Sequence, residues 1–145
     1  MSGSLVIRYM LANYAPILAT IPPDRIVAGD LSIITERPCM VIQNVDSDDF
    51  RMIKRSGVRA LVSDRVQVTT LVDGQRSSTP GSGYMGLHDL MKLIPKACPN
   101  ARGLINGVDV ESIDLEPEGP DLTDEATQLF SRSRDFLVRY YEDRT

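Results

Sequence analysis

The strongest constraint on the fold is a run of alternating side chains between residues 59 and 72. Successive side chains of a β-strand point to opposite faces of a sheet, so strict alternation over this length predicts one long strand. The residues predicted to share one face are Val62, Asp64, Val66, Val68 and Thr70. Those predicted for the other face are Leu61, Arg65, Gln67, Thr69 and Leu71.

Two stretches have the spacing of amphipathic helices. The first, over residues 4–14, starts at Ser4, a suitable N-cap, and its apolar stripe is Leu5, Tyr9, Leu11 and Ala12. Pro16 is predicted to interrupt this helix, and the pair Pro22 and Pro23 predicts that extended chain follows. The second helix is predicted over residues 83–94, where Pro95 and Pro99 bracket its end, with a stripe of Tyr84, Leu87, Leu90, Met91 and Ile94.

Further strands are predicted at 25–28, 38–45, 104–115 and 129–140. The first two are expected to form a hairpin or a pair of adjacent strands, followed by a solvated turn at the acidic cluster 46–49. A change of phase in the segment 104–115 predicts a bulge near Ser112. Residues 73–83, rich in Gly, Ser, Thr and Pro, predict a mobile connection, and residues 122–127 a helical turn.

This order of elements, α-β-β-β-α-β-β, predicts an α+β domain. We expect a single twisted, mainly antiparallel sheet with the helices packed on one face, in which the last two strands pair antiparallel. A length of 145 residues fits one domain, residues 1–145. The longest apolar runs fall far short of a membrane span, so we expect no contact with a membrane.

Charge is segregated along the chain, although the formal net charge is only −4. Residues 51–65 carry five bases and one acid, whereas residues 109–125 carry eight acids and no base. Two opposite patches on one domain suit head-to-tail association, although two solvated faces without a partner explain the pattern equally well. The acids considered as a lumen lining or interface are Asp109, Glu111, Asp114, Glu116, Glu118 and Asp121.

The basic segment also contains apolar side chains in what the sequence predicts to be a loop. Such a loop is suited to contact a partner or a neighbouring protomer, but its apolar side chains could equally fold back on their own sheet. The candidate interface residues are Phe50, Arg51, Met52, Ile53, Lys54, Arg55 and Arg59.

Motifs that would carry chemistry are weak. Gly81, Gly83 and Gly86 match G-x-G-x-x-G at the start of a helix, with Asp109 or Glu111 as the ribose partner, but a long polar segment separates them from the preceding strand. This leaves a small nucleotide-binding enzyme as an alternative class. His88, the only histidine, is expected on the surface of the second helix or at the boundary of its apolar stripe, and the sequence predicts no cofactor and no metal site.

The two cysteines are predicted to be buried thiols. The first residues lack the basic segment of an export signal, so we expect an unexported chain in a reducing compartment. Cys39 and Cys98 are then not expected to form a disulfide.

Four segments in this order resemble the phage tail completion family, the tail-terminator proteins of long-tailed bacteriophages. The first two are the proline-rich segment 21–27 and the strand 38–43, which has the pattern P-x-h-h-h-Q, where h is an apolar residue. The other two are the strand 65–70 before a long helix and the final segment 134–140, which is similar to a D-F-x-V-x-Y ending. The resemblance covers nearly the full chain. The connection 73–83 and the acidic segment after Glu116 are long for the family.

The resemblance implies a structural virion protein and not an enzyme. It implies a homohexameric ring at the head-tail junction of the virion, assembled in the host cytoplasm, that ends the tail tube and meets the head-neck connector. DNA would pass through an acidic lumen, where like charge prevents adhesion. A neck or head-completion protein is the alternative within the same class.

Overall fold

The computed structural model describes residues 2–29, 37–54, 57–74, 82–119, 122–124 and 129–143. Within them the helices are α1 (Ser2–Ala12), α2 (Ala15–Leu18) and α3 (Gly83–Ala97), and a 3₁₀ turn, Pro23–Arg25, precedes the first strand. The strands are β1 (Ile26–Ala28), β2 (Cys39–Lys54), β3 (Gly57–Asp73), β4 (Gly103–Ile105), β5 (Val108–Glu118), β6 (Leu122–Asp124) and β7 (Leu129–Asp143).

All the described strands belong to one sheet in the order β1-β2-β3-β7-β5-β4, and β6 pairs with β7. β1 runs parallel to β2, and the other pairs are antiparallel. The predicted α+β fold with a mainly antiparallel sheet is therefore confirmed, as is the antiparallel pairing of β5 with β7. The segments 25–28 and 38–45 are adjacent strands, and a hairpin between them is wrong because they run parallel.

The alternation that predicted the central strand is present in β3. Val62, Val66, Val68 and Val72 face the helices and are buried, together with Asp64 and Thr70. β2 is longer than predicted, since the acidic cluster 46–49 lies inside it and is not a turn. A register shift between Asn44 and Asp46 puts a bulge at Val45, after which β2 continues to pair with β3. The exposure of Asp46 and Asp48 explains why a strand accommodates them.

The segment 104–115 forms two strands and not one. Asn106 and Gly107 have φ values of 50° and 79°, the positive values that a two-residue hairpin turn requires, and they join β4 to β5. The bulge predicted near Ser112 is confirmed by a register shift between Val110 and Ser112. Residues 122–124 form the short strand β6 in place of the expected helical turn, and residues 125–127 lie outside the described residues.

The helices cover one face of the sheet. Val6 of α1, Met91 of α3, Val66 of β3 and Val138 of β7 belong to the same apolar core. In α3 the buried residues include the predicted Leu87, Leu90, Met91 and Ile94, whereas Tyr84 of the predicted stripe is exposed. The helix continues past Pro95 to Ala97.

α1 faces the sheet with a different side from the one predicted. Its buried residues are Gly3, Ser4, Val6, Ile7 and Leu11, whereas Leu5 and Tyr9 are exposed. Ser4 lies inside the helix and not at its start. Gly3 explains the rotation, because a residue without a side chain lets the first turn contact β3 closely.

Both cysteines are buried and free, as the sequence predicted. Cys98 lies in the main core, and burial raises the pKa of its thiol to about 12. Cys39 packs with Val41, Val27 and Leu71 in a small second cluster. In the part of the chain that the structure describes, none of the helices is long and apolar enough to cross a membrane.

Candidate functional site

The face of the sheet that the helices leave open carries polar pairs across three strands. Arg65 Nε lies 2.9 Å from Asp135 Oδ2, which joins β3 to β7. Arg139 Nη1 lies 3.2 Å from Asp114 Oδ2, which joins β7 to β5. Side chains in these pairs keep between 16% and 50% of their surface exposed. This open face is therefore a hydrated surface with alternating charges.

The predicted acids of β5 are divided by the fold. Asp109 and Asp114 lie opposite Tyr141 and Leu137 of β7, on the open face. Glu111, at the bulge, instead reaches Arg102, whose Nη2 lies 3.3 Å from its Oε2. Two of these acids thus meet arginines from other strands or loops, which partly neutralises the acidic segment.

The remaining acids are less completely described. Glu116 is partly exposed in β5. Glu118 contributes its backbone to the end of β5, and its side chain lies outside the described residues, as does all of Asp121.

The basic segment is a β-hairpin where the sequence predicted a loop. Phe50, Arg51, Met52, Ile53 and Lys54 form the end of β2, and Met52 pairs with Arg59 of β3. The pairing of β2 with β3 continues to Lys54, which lies opposite Gly57. Arg55 and the side chains of the other members lie outside the described residues.

Among the described residues, Asp64 is the charged group that is buried most completely, and the sequence analysis gave it no role. Its carboxylate has no exposed surface. Oδ2 accepts hydrogen bonds from the Gly3 amide at 3.0 Å and the Tyr140 hydroxyl at 3.0 Å, and Oδ1 accepts one from the Ser47 hydroxyl at 2.6 Å. One carboxylate therefore ties α1, β2 and β7 to β3. The sequence signal for this role was one acid among apolar residues on one face of the predicted strand.

The electrostatics of this network favour the ionised carboxylate. Burial alone would raise the pKa of Asp64, but hydrogen bonds to the carboxylate, those from the Ser47 hydroxyl and the Gly3 amide among them, hold it below its usual value. The pKa of Tyr140 is raised to about 12, first by burial and then by the neighbouring charge of Asp64. The phenol therefore remains a donor to the carboxylate at neutral pH.

The glycine motif does not lie in a dinucleotide-binding arrangement. Gly83 begins α3 and Gly86 lies in it, whereas Gly81 is outside the described residues. After α3 the chain enters β4, which pairs antiparallel with β5 and not with the strand before the helix. A dinucleotide site needs a helix between two parallel strands of one sheet.

The only histidine makes an aromatic contact. His88 stacks on Tyr84 with ring centroids 6.5 Å apart, and Tyr84 meets Phe130 edge to face at 6.4 Å. Among the described residues, no group of three or more His, Cys, Asp or Glu side chains is arranged to hold a metal ion.

Exposed apolar side chains mark both ends of the sheet. At the β4 end, Leu104 is 79% exposed. At the other end an open groove of about 780 Å³ lies between α1, β1 and β2, and Leu5, Ala28 and Val45 are among its lining residues. Of these two features, only the hairpin that carries Leu104 had a signal in the sequence, the Asn-Gly pair that is typical of a two-residue turn.

Comparison with solved structures adds a likeness in fold. A chain of the virion of a native gene transfer agent particle has the same fold, with a TM-score of 0.65. The match covers 96% of this chain and 94% of that chain, at 9% sequence identity. No family model matches the sequence, and no curated protein matches it. The likeness shows a shared fold over nearly the whole of both chains.

Proposed function

We propose that this chain is a structural protein of a phage-like virion, which forms a homohexameric ring at the end of the tail tube. The observation that carries the proposal is the likeness to a virion chain across nearly the full length of both proteins. The order of the four sequence segments that resemble tail-terminator proteins points to the same role. In this role the ring halts growth of the tube and joins the tail to the head-neck connector, and the protein has no enzymatic activity.

The open sheet face is our candidate for the wall of the lumen. Asp109 and Asp114 lie on it, and the arginines nearby are engaged with carboxylates. Carboxylates on this face repel the phosphates of passing DNA, which supports its assignment to the wall of the lumen. Glu111, Glu116, Glu118 and Asp121 belong to the same acidic segment of the sequence, and we include them as candidates for the lumen or an interface.

The basic hairpin, residues 50–59, is our candidate for contact with the tube or a neighbouring protomer. Its two strands are the end of β2 and the start of β3. Its sequence carries three basic residues between positions 51 and 55. Opposite charges on different parts of one protomer favour assembly in a single head-to-tail orientation.

The first experiment measures the mass of the purified protein by light scattering at low and moderate salt, alone and with tail tubes, followed by electron microscopy. We expect rings, free or on tube ends, and weaker association at higher salt because exposed charges are screened. A protein that stays monomeric in both conditions and leaves tube ends bare would overturn the proposal. Antibody labelling of virions separates the tail end from a neck position nearer the head.

A second experiment tests the lumen. The variant Asp109→Asn with Asp114→Asn is compared with Asp89→Asn, which removes an exposed acid on α3. We expect the double variant to assemble normally and to deliver DNA several-fold less efficiently, while the control is unchanged. Normal delivery by the double variant would contradict the assignment of the open face to the lumen. A thermal-shift screen against nucleotides tests the competing enzyme class.

A further inference from the structure

The two outermost strands of the sheet are both very short. β1 (Ile26–Ala28) and β4 (Gly103–Ile105) have three residues each. Gly29, which follows β1, and Gly103, which begins β4, have φ values of 121° and 113°, which residues with a side chain rarely adopt. These glycines end the regular extended conformation, so each outermost strand offers only a short edge to the backbone of another chain.

The longer strand behind each outermost strand is bulged just after the outer pairing ends. β1 pairs with β2 as far as Ile42, and the bulge at Val45 follows. β4 pairs with β5 as far as Val110, and the register shift between Val110 and Ser112 follows directly. Among the described strands, none pairs with the outer side of β2 or β5 beyond these points. Because a bulge bends and twists its strand, it moves the next part of each edge out of line with an approaching strand.

Beyond each bulge, a side chain accepts the hydrogen bond of a strand amide. In β2 the Ser47 amide donates to Asp46 Oδ1 at 2.9 Å. In β5 the Ile113 amide donates to Asn100 Oδ1 at 3.1 Å. We call Asp46 and Asn100 the edge caps. Each edge cap holds an amide that would otherwise be available to a strand of another chain.

Both capped amides point to the outer side of their strands. Asn100 precedes β4, on the side of β5 away from β7, so the Ile113 amide points outward. In β2 the Gly29 amide donates to the Ile42 carbonyl, which therefore points outward. Outward positions alternate along a strand, and the extra residue of the bulge shifts them from even to odd numbers, which places the Ser47 amide on the outer side.

We propose that these features together prevent the sheet of one copy from continuing into the sheet of another. The same combination of a short outer strand, a bulge and an edge cap occurs at both edges, in segments that are distant in the sequence. Two uncapped edges would allow copies to join into open-ended chains. Copies of this protein therefore meet through side chains and not through a shared β-ladder. The inference goes beyond the proposed ring, because it also applies to the free chain.

Removal of both edge caps tests the inference. The double variant Asp46→Ala with Asn100→Ala leaves both outward amides available to another copy. We expect its weight-average mass, measured by light scattering, to rise with protein concentration and to exceed that of the unmodified protein by at least about twofold. Each single variant keeps one capped edge, so its freed edges should join copies only in pairs.

Two matched controls separate the edge caps from a general change of surface. Asn13→Ala with Asp89→Ala removes one amide and one carboxylate from exposed positions on α1 and α3. Asp46→Asn with Asn100→Asp keeps a side-chain oxygen at each cap and leaves the net charge unchanged. Both controls should keep the mass of the unmodified protein. A cap-free variant with the mass of the unmodified protein, or controls with an equal increase, would overturn the inference.

Amide hydrogen exchange of the unmodified protein is a second test, which needs no variant. At low protein concentration, the Ser47 and Ile113 amides should exchange at least about tenfold more slowly than in an unstructured chain, because the edge caps protect them. Exchange at the unprotected rate would overturn the inference. The absence of rings and of tube binding would instead overturn the proposed function and leave the edge caps unaffected.

Discussion

Asp64 and Arg65 are neighbours in β3, yet their charged groups lie on opposite faces of the sheet and differ in burial. On the covered face, Asp64 is fully buried and accepts hydrogen bonds from Gly3, Ser47 and Tyr140. On the open face, Arg65 keeps 50% of its side chain exposed while it contacts Asp135. A buried charge without its partners is costly, whereas a solvated pair contributes little. The covered face therefore maintains the fold, and the open face is free to change with function.

Removal of the buried carboxylate should have the largest effect. Asp64→Ala leaves the buried Gly3 amide and the buried Tyr140 hydroxyl without this acceptor, and it also removes the acceptor of the exposed Ser47. We expect the free energy of unfolding to fall by about 3–5 kcal/mol, since each buried unsatisfied polar group costs about 1–3 kcal/mol. Urea denaturation measures this loss. Asp64→Asn keeps one acceptor and should lose less; equal losses would contradict the network.

A side chain at position 3, where α1 lies closest to Asp64 of the sheet, should have the next largest effect on stability. A Cβ atom at position 3 would lie 2.8 Å from Asp64 Cβ and 2.9 Å from its Oδ2. Gly3→Ala should therefore destabilise the protein by about 1–3 kcal/mol, although alanine favours helices. Tyr9→Ala, on the exposed side of the same helix, should change stability by less than about 0.5 kcal/mol. Thermal and urea unfolding of both variants check the difference.

Loss of the phenol donor should have a smaller, pH-dependent effect. Tyr140→Phe should cost about 1–2 kcal/mol at neutral pH, because it removes a hydrogen bond to a charged acceptor. The pKa of Tyr140 is raised to about 12, above the ordinary value of about 10. Its contribution is therefore complete below about pH 10 and is lost as the pH rises toward 12. Unfolding curves at several alkaline pH values should converge for the two proteins; a constant gap would contradict this role.

The open-face pair should have the smallest effect. A double-mutant cycle with Arg65→Ala and Asp135→Ala should give a coupling energy below about 1 kcal/mol, because the arginine is half exposed and salt screens the pair. The coupling should fall further at high salt. A coupling as large as the loss in Asp64→Ala would remove the distinction between the two faces.

The sequence predicted the fold well where one local pattern determines the structure. Alternation located β3, and the change of phase near Ser112 located the bulge in β5. Prediction failed where a contact between distant parts of the chain determines the structure. The end of β2 was predicted too early because an acidic cluster resembles a turn. The buried side of α1 was predicted wrongly because the spacing of apolar residues in the helix does not show that Gly3 contacts Asp64.

The candidate site shows the same division. The positions of the acids on β5 followed from the strand, but their partners did not. Arg139 and Arg102 reach Asp114 and Glu111 from separate elements, so the sequence alone overstated the negative charge of this segment. The turn at Asn106-Gly107 was missed, because the segment 104–115 was predicted as one strand, although Asn-Gly is a local signal for a two-residue hairpin turn.

The position of β7 has a consequence for synthesis on the ribosome. This strand lies in the middle of the sheet, between β3 and β5, yet it follows all the other described strands along the chain. Tyr140 of β7 also completes the Asp64 network, across 76 residues of sequence. Until β7 emerges, β3 and β5 both expose unpaired edges, which are prone to join other chains. Folding must therefore wait for the last strand, and a nascent chain stalled before β7 should be the species most prone to aggregate.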